Sequence, residues 1–190
     1  DNKNITLFLG SDFHSVIYPV NQIGDLNFIA IMKYNLSLEE QKDYSLFNDN
    51  SFIQKVLEKI PLRNKEFLNN LKELKIFPVF VSNNFYKLQN NNIHLIGDAF
   101  FALPPSFAQG ASQSIEGAYE LFKNIENNTE SNFYKNRVNK IKMVNIRSKF
   151  NQFTFHLSNS FNTFFRNIFL KKLVKNKKFL EFYLGKIYKN

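Results

Sequence analysis

The sequence contains neither cysteine nor tryptophan in its 190 residues. The absence of cysteine excludes disulfides and thiolate metal sites, and it suits a reducing, cytoplasmic location. No apolar run approaches the roughly 20 residues that a membrane-spanning helix needs. The length fits one domain or one and a half, with enough chain to form a hydrophobic core.

Glycine is also scarce, with six residues, and no two of them are separated by a single position. The Gly-x-Gly-x-x-Gly fingerprint, which binds a dinucleotide pyrophosphate at the start of a βαβ unit, is therefore absent. His-x-x-x-His, Gly-x-Ser-x-Gly and a convincing pair of carboxylates are missing too. Hydrolase and metal chemistry have no support, and we expect no metal site.

Arginine is the rarer of the two strong bases. The net charge is +9, yet only four of the 25 basic residues are arginines. Because phosphate and base recognition favours the arginine fork, we expect no nucleic-acid partner. The abundance of Lys, Asn, Ile and Phe is typical of an AT-rich coding sequence, which accounts for much of the lysine excess.

Short runs rich in Val, Ile, Phe and Tyr predict an antiparallel meander, with strands at Ile5–Leu9, His14–Val20 and Leu26–Tyr34. Further strands are predicted at Phe77–Val81 and Ile93–Ile96. Ser37, followed by two glutamates, predicts the start of a helix. Other helices are predicted at Ser51–Lys59, Asn64–Leu74, from Ala111, about Glu130–Leu157, Asn159–Leu170 and Phe179–Lys189. The helix from Ala111 is expected to bury one apolar stripe, formed by Ala111, Ile115, Ala118, Phe122 and Ile125.

The segment from Ile93 to Phe122 carries the most information. A short apolar run ends at Gly97-Asp98, a Pro104-Pro105 bend follows, and Gln109-Gly110-Ala111 opens a helix. We expect a carboxylate at the end of a buried strand to serve a ligand rather than packing. A helix that starts after a proline bend and a glycine offers free backbone N–H groups to a negative ligand. These features predict a ligand-binding loop.

This segment resembles the second flavin-contacting motif of the single-component FAD-dependent aromatic hydroxylases. These flavoprotein monooxygenases include salicylate hydroxylase and para-hydroxybenzoate hydroxylase. The family's Gly-Asp-Ala-Ala-His, its prolines and its Gln-Gly stand here as Gly97-Asp98-Ala99-Phe100-Phe101, Pro104-Pro105 and Gln109-Gly110. The Ala-Gln-Gly-Ala form is closest to the salicylate-hydroxylase-like branch. Weaker similarity at 10–31, 137–157 and 180–188 extends the resemblance over nearly the whole chain.

The resemblance implies FAD as cofactor and NAD(P)H as co-substrate. Asp98 would accept a hydrogen bond from a hydroxyl of the FAD ribose or ribitol chain. The helix start would stabilise negative charge near N1 and the C2 carbonyl of the reduced flavin. Two alternatives need no ligand: an Asp that caps a turn, and an ordinary helix start after a proline turn. The candidate cofactor-binding residues are Gly97, Asp98, Pro105, Gln109, Gly110, Ala111 and Ser112.

Tyr18 and Pro104 are the candidate substrate contacts, and no catalytic residue is identified. The resemblance puts backbone carbonyls of the proline loop beside the substrate. Tyr18 shares one strand face with His14 and Val16, because side chains alternate along a strand, and it could hydrogen-bond an aromatic hydroxyl. The alternative for Tyr18 is a half-exposed sheet face, and His156 is expected to be structural.

Two departures from the family pattern bear on the pocket. Phe100 and Phe101 stand where the family has Ala-His, and Glu116-Gly117 stands where it has Glu-Asp. A bulky Phe100 would reshape the pocket or change the pose of the flavin. These differences put the substrate in doubt more than the cofactor.

The C-terminal region alternates basic and apolar residues between Phe164 and Lys178. This composition suits an amphipathic helix that makes peripheral contact with anionic lipid. The alternative is a helical subdomain with a solvated lysine face.

We therefore predict an α/β flavoprotein of α+β character in these residues, corresponding to the C-terminal part of a longer Rossmann-like FAD-binding protein. A natural half-flavoprotein is the alternative. Residues 1–82 would end the substrate sheet, 83–128 would return to the FAD domain, and 129–190 would form a helical region. The expected activity is hydroxylation of a small aromatic or quinone-precursor substrate with NAD(P)H and oxygen, in the cytoplasm or at a membrane periphery. A ubiquinone-pathway hydroxylase and a non-catalytic flavin-fold binding module are the alternatives.

Overall fold

The computed structural model describes residues 4–60, 74–88 and 93–188. Within these ranges the chain forms one three-stranded antiparallel sheet and six α-helices. The predicted α+β character of these residues is confirmed at this level. The helix predicted at Asn64–Leu74 lies almost wholly outside the described residues.

The chain divides into two compact units. The first comprises residues 1–79 and 155–162, and the second comprises residues 80–154 and 163–190. The predicted boundary at residue 82 lies close to the first division. The boundary at residue 128 falls inside the second unit, and the three-part division of the chain stays a prediction.

The sheet belongs to the first unit and consists of β1 (Thr6–Gly10), β2 (Phe13–Pro19) and β3 (Leu26–Met32). The spatial order is β1-β2-β3 with both pairs antiparallel, so the predicted meander is confirmed. In the second turn, the Asn21 side-chain oxygen accepts hydrogen bonds from three successive backbone N–H groups at 3.1 Å, those of residues 23–25. This turn satisfies backbone groups that the strands leave unpaired.

Helix α1 (Asn50–Glu58) follows a 3₁₀ turn and covers the core of the first unit. Asp49 caps it, because the carboxylate accepts a 2.8 Å hydrogen bond from the Phe52 N–H. The helix places Phe52 and Val56 against Phe47 in a buried cluster. The prediction of a helix at Ser51–Lys59 is confirmed to within one residue.

Two local predictions in the first unit and at its border are wrong. Ser37 and Glu40 exchange side-chain-to-backbone hydrogen bonds of 2.7 and 3.1 Å, as in a helix-capping box, but only a turn follows. The predicted strand Phe77–Val81 is irregular, and it joins no sheet in the described residues. Pro78 has no N–H to donate to a ladder, and an extended run without a paired neighbour is not a strand.

The remaining helices run in close succession along the chain. They are α2 (Gly97–Phe101), α3 (Gly110–Glu126), α4 (Glu130–Phe155), α5 (Ser160–Leu173) and α6 (Lys177–Tyr188). Asparagines cap the last two, because the Asn159 oxygen accepts from Phe161 N–H at 2.9 Å and the Asn176 oxygen from Phe179 N–H at 3.1 Å. The predicted bounds of α4, α5 and α6 agree within a few residues, although Lys189 lies outside the described residues.

The core of the second unit forms where α2 meets α4. Phe100 and Phe101 of α2 and Ile141 of α4 are each 3% exposed, and Tyr134 and Val138 pack beside them. The ring of Phe85 stacks on Phe101 with centroids 4.5 Å apart. This cluster holds α2 in place, although a helix of five residues has little stability of its own.

Candidate functional site

The start of α2 packs closely on the first turns of α3. Gly97 has φ of +59°, and a Cβ at this position would stand 2.7 Å from Ser114 Oγ. Ser114 Oγ in turn donates to the Gly110 carbonyl at 2.9 Å. Only glycine allows both this backbone conformation and this approach, so Gly97 fixes α2 against α3.

Asp98 is exposed in the first turn of α2. The predicted buried strand before it is wrong, because Ile93–Ile96 forms no strand and Ile93 and Ile96 are 52% and 39% exposed. Ile96, the residue before α2, has an extended backbone with φ of −134° and ψ of 164°. A strand needs a neighbouring strand, and none of the described residues supplies one. The carboxylate therefore projects from a helix start rather than from the edge of a sheet.

The proline bend is a rigid turn that α4 anchors. Pro104 is buried, and a 3₁₀ turn at Pro105–Phe107 ends at Ala108, which has φ of +50°. The Ser106 hydroxyl donates to the Ser148 carbonyl of α4 at 2.7 Å. This anchor fixes the point at which the chain enters α3.

The first turn of α3 offers backbone donors. Gln109 occupies the N-cap position and is buried, but its side chain makes no capping hydrogen bond to the helix. Ala111 and Ser112 are exposed, and a Cβ placed on Gly110 would meet no atom within 4 Å. The first N–H groups of a helix lack intrahelical acceptors and carry partial positive charge. An anion could approach this turn closely.

Asp98 and Gly110 border the same small cavity, together with Gly97, Gln113 and Arg137. The cavity volume is about 10 Å³, which is room for a single water molecule. It is too small for an aromatic ring system. The groups that a larger ligand could reach are the exposed ones at its rim, Asp98, Ala111 and Ser112.

Phe100 and Phe101 point into the core of the second unit. Both rings are buried, and Phe100 lies edge-on to Tyr134 at 5.8 Å. The two residues that depart from the family pattern therefore serve as core residues. Both also line the small cavity that Asp98 and Gly110 border.

A larger open groove of about 700 Å³ has aromatic walls. Phe133 and Tyr134 of α4 form one part of it, Tyr86 and His94 another, and Phe100 is common to this groove and to the small cavity. Sequence reasoning did not identify the groove, because residues 86–95 carry no recognisable motif.

A buried ion network between α3 and α4 was also missed. Arg137 is 3% exposed, and its guanidinium donates to the Gln113 carbonyl and, at 3.0 Å, to Gln113 Oε1. Glu116 and Glu120 each bring a carboxylate oxygen to 3.5 Å from Arg137 Nη1. Burial raises the pKa of Glu120, and the charge of Arg137 opposes this shift. The only sequence signal is a pair of carboxylates four residues apart on one helix face.

Gly117 makes room for this network. A Cβ at Gly117 would stand 3.1 Å from Arg137 Nε, so the glycine lets the guanidinium lie against the backbone of α3. This packing accounts for the glycine that follows Glu116.

The apolar stripe predicted to be buried on α3 is instead exposed. Ile115, Phe122 and Ile125 are each at least half exposed, whereas Gln113 and Gly117 are the buried residues of the helix. The prediction is wrong because the buried guanidinium of Arg137 requires polar partners, and these lie on the opposite side of α3.

The residues singled out on β2 serve the fold of the first unit. The Tyr18 hydroxyl accepts a 2.6 Å hydrogen bond from its cross-strand neighbour Asn27. Its role as a substrate contact stays a prediction.

His14 Nδ1 lies 2.7 Å from His156 Nε2, and the two rings share a hydrogen bond. Burial, and then the charge of His156, lowers the pKa of His14 to about 4. Burial also lowers the pKa of His156, while Asp12 raises it and Lys33 lowers it further. Both rings are therefore neutral near pH 7, and one donates to the other. Nowhere in the described ranges do three His, Cys, Asp or Glu side chains cluster closely enough to hold a metal ion.

Comparison with known proteins adds no assignment: no family model matches this sequence, and no curated protein matches it either.

Proposed function

We propose that this chain supplies the flavin-contacting loop of an FAD-dependent monooxygenase that hydroxylates an aromatic or quinone-precursor ring. The resemblance of residues 97–111 to the family motif is the first support. The observation that carries the proposal is spatial: Asp98 and Gly110, twelve positions apart, border one cavity. A loop that contacts a single cofactor through both residues needs this proximity.

The donors and acceptors at the rim suit the polar parts of FAD. Asp98 offers an exposed carboxylate to a sugar or ribitol hydroxyl, and such a charge-assisted hydrogen bond contributes about 1.5–3 kcal/mol. The uncapped start of α3 favours negative charge at the flavin ring by about 0.3–1 kcal/mol. The water-sized cavity cannot hold the flavin ring, so the residues that would contact the cofactor are the exposed ones at its rim, Asp98, Ala111 and Ser112.

The residues of this chain would bind the cofactor and orient it. Bound FAD, reduced by NAD(P)H, supplies the oxygen chemistry that hydroxylates the substrate ring. Gly97 holds α2 on α3, and the proline turn fixes the entry to α3, so that both contact groups keep a constant separation. Preorganisation of this kind reduces the entropy that binding must overcome.

NAD(P)H oxidation by the full-length protein tests this function. We expect FAD-dependent oxidation that phenols or quinone precursors stimulate. Asp98→Asn should raise the FAD concentration that half-maximal oxidation requires, and it should leave the urea midpoint of unfolding unchanged. Glu181→Gln, at an exposed carboxylate on α6, is the matched control. Absence of NAD(P)H oxidation with every ring substrate, although FAD binds, would instead support a non-catalytic flavin-binding module.

A further inference from the structure

Helix α5 presents an aromatic face to solvent. Phe164, Phe165, Ile168 and Phe169 recur at helical spacing and are 61%, 42%, 38% and 59% exposed. The helix has no buried residue among those described. A contiguous exposed apolar face of this size marks an interaction surface, whereas single exposed apolar residues need no explanation.

The opposite side of α5 faces its own unit. Arg166 Nη1 donates to the Thr154 carbonyl at 3.3 Å, and Leu170 and Leu173 are half-buried. The helix is therefore held by its polar and leucine side, while its phenylalanine side is left outward. This orientation is the reverse of that of an ordinary surface helix.

The charged residues at the end of α5 and in the segment up to Leu180 are all basic, and Glu181 of α6 is the first acidic residue after them. Lys171 and Lys172 lie in the last turn of α5, and Lys175, Lys177 and Lys178 follow it, all exposed. From Ser131 to Leu180 the sequence contains no Asp or Glu. The lysines accordingly have no acidic partner within this stretch, and they complement a negatively charged surface.

We propose that the aromatic face of α5 binds the surface of an anionic lipid bilayer. Phenylalanine rings enter the boundary between headgroups and acyl chains, and lysines at the end of the helix pair with lipid phosphates and carboxylates. Because its phenylalanines lie on one side and Arg166 is held on the other, α5 would lie in the plane of the interface. No helix in the described part of the chain is long and apolar enough to cross a membrane. The inference is independent of flavin binding, because none of its residues belongs to the Asp98 loop.

The absence of tryptophan provides a direct reporter. Phe169→Trp in the full chain places a single indole on the aromatic face, and Leu38→Trp places one at an exposed turn position beside Glu39 and Glu40 as the control. The probe is a vesicle of about one third phosphatidylglycerol in phosphatidylcholine, which carries the anionic surface that the lysines require. We expect these vesicles to shift the indole emission of the Phe169→Trp protein to the blue and to leave that of the Leu38→Trp protein nearly unchanged. Neutral phosphatidylcholine vesicles should shift neither.

Vesicle sedimentation separates the apolar and the charge contributions. We expect Lys171→Glu/Lys172→Glu to lower the partition coefficient roughly tenfold or more, because each surface lysine contributes appreciably to binding at an anionic membrane. Phe164→Ser/Phe169→Ser should lower it comparably, whereas Leu38→Ser should change it less than about twofold.

Three results would overturn the inference. One is equal binding to neutral and anionic vesicles, and another is no vesicle binding at all. The third is a sedimentation-velocity dimer that Phe164→Ser/Phe169→Ser converts to monomer, because the face would then be covered by a second copy of the chain.

Discussion

The buried guanidinium of Arg137 in α4 packs against the backbone of α3 at Gly117. The Arg137 Nε lies 3.1 Å from the point that a Cβ on Gly117 would occupy. Hydrogen bonds to Gln113 and two neighbouring carboxylates hold the guanidinium there. This pair decides which face of α3 is buried, and so how the start of the helix is presented.

Gly117→Ala should therefore destabilise the protein. The guanidinium cannot move away without losing its partners, and overpacking of this kind costs about 1–3 kcal/mol. The higher helix propensity of alanine offsets up to about 1 kcal/mol of this cost, so the free energy of unfolding should fall by about 1 kcal/mol. Urea unfolding measures this change. Gly185→Ala in α6, where a Cβ meets no atom within 4 Å, is the control and should be neutral or stabilising. A stabilised Gly117→Ala protein would show that Arg137 is not held as described.

Gly97→Ala should also destabilise, for two separable reasons. Its φ of +59° is unfavourable for alanine, and the new Cβ would clash with Ser114 Oγ at 2.7 Å. In a Ser114→Ala background the contact with Oγ is removed, whereas the 3.3 Å approach to the Cβ of residue 114 and the backbone strain stay, so the cost of Gly97→Ala should fall by about 1 kcal/mol or more. A double-mutant cycle in urea measures the coupling, and strictly additive effects would contradict the close approach.

The His14–His156 pair makes stability depend on pH. Both pKa values are lowered in the folded protein, so the unfolded chain binds more protons between pH 6.5 and about 4. The contribution of the pair to the free energy of unfolding is greatest above about pH 6.5. It falls by on the order of 2 kcal/mol as the pH decreases through this window. The groups that modulate the pair are Asp12 and Lys33.

Urea unfolding at several pH values between about 7.5 and 4.5 measures this dependence. We expect His14→Gln to flatten the curve, because it removes one of the two histidines whose pKa values are lowered. An equally steep curve in the His14→Gln protein would rule out the pair as its cause.

Much of the fold could be predicted because its signals are local. Alternating apolar residues and polar turns located β1, β2 and β3, and helical patterns located α1, α3, α4, α5 and α6. Strand pairing is not local: Ile93–Ile96 has strand-like residues, but no described neighbour pairs with it. A capping pattern likewise cannot ensure a helix, as the turn after Ser37 shows.

The site was predicted less well, because burial depends on distant partners. The stripe through Ile115 and Phe122 has the period of a helix, but the period alone does not identify which side is buried. The buried side is the one that contacts Arg137, which lies 20 residues after Gly117 in the sequence. His14 and His156 are 142 positions apart, and no sequence pattern connects them. The proximity of Asp98 to Gly110 was expected from the motif, whereas the inward direction of Phe100 was not.

The most direct measurement is a titration of the chain with FAD, followed by the quenching of flavin fluorescence. We expect saturable but weak binding, because no Gly-x-Gly-x-x-Gly is present to hold the pyrophosphate. Asp98→Asn should weaken this binding about tenfold or more, since a charge-assisted hydrogen bond is lost, and Glu181→Gln should not. Absence of saturable binding, or equal affinity in the wild-type and Asp98→Asn proteins, would contradict a shared flavin contact at Asp98 and the start of α3.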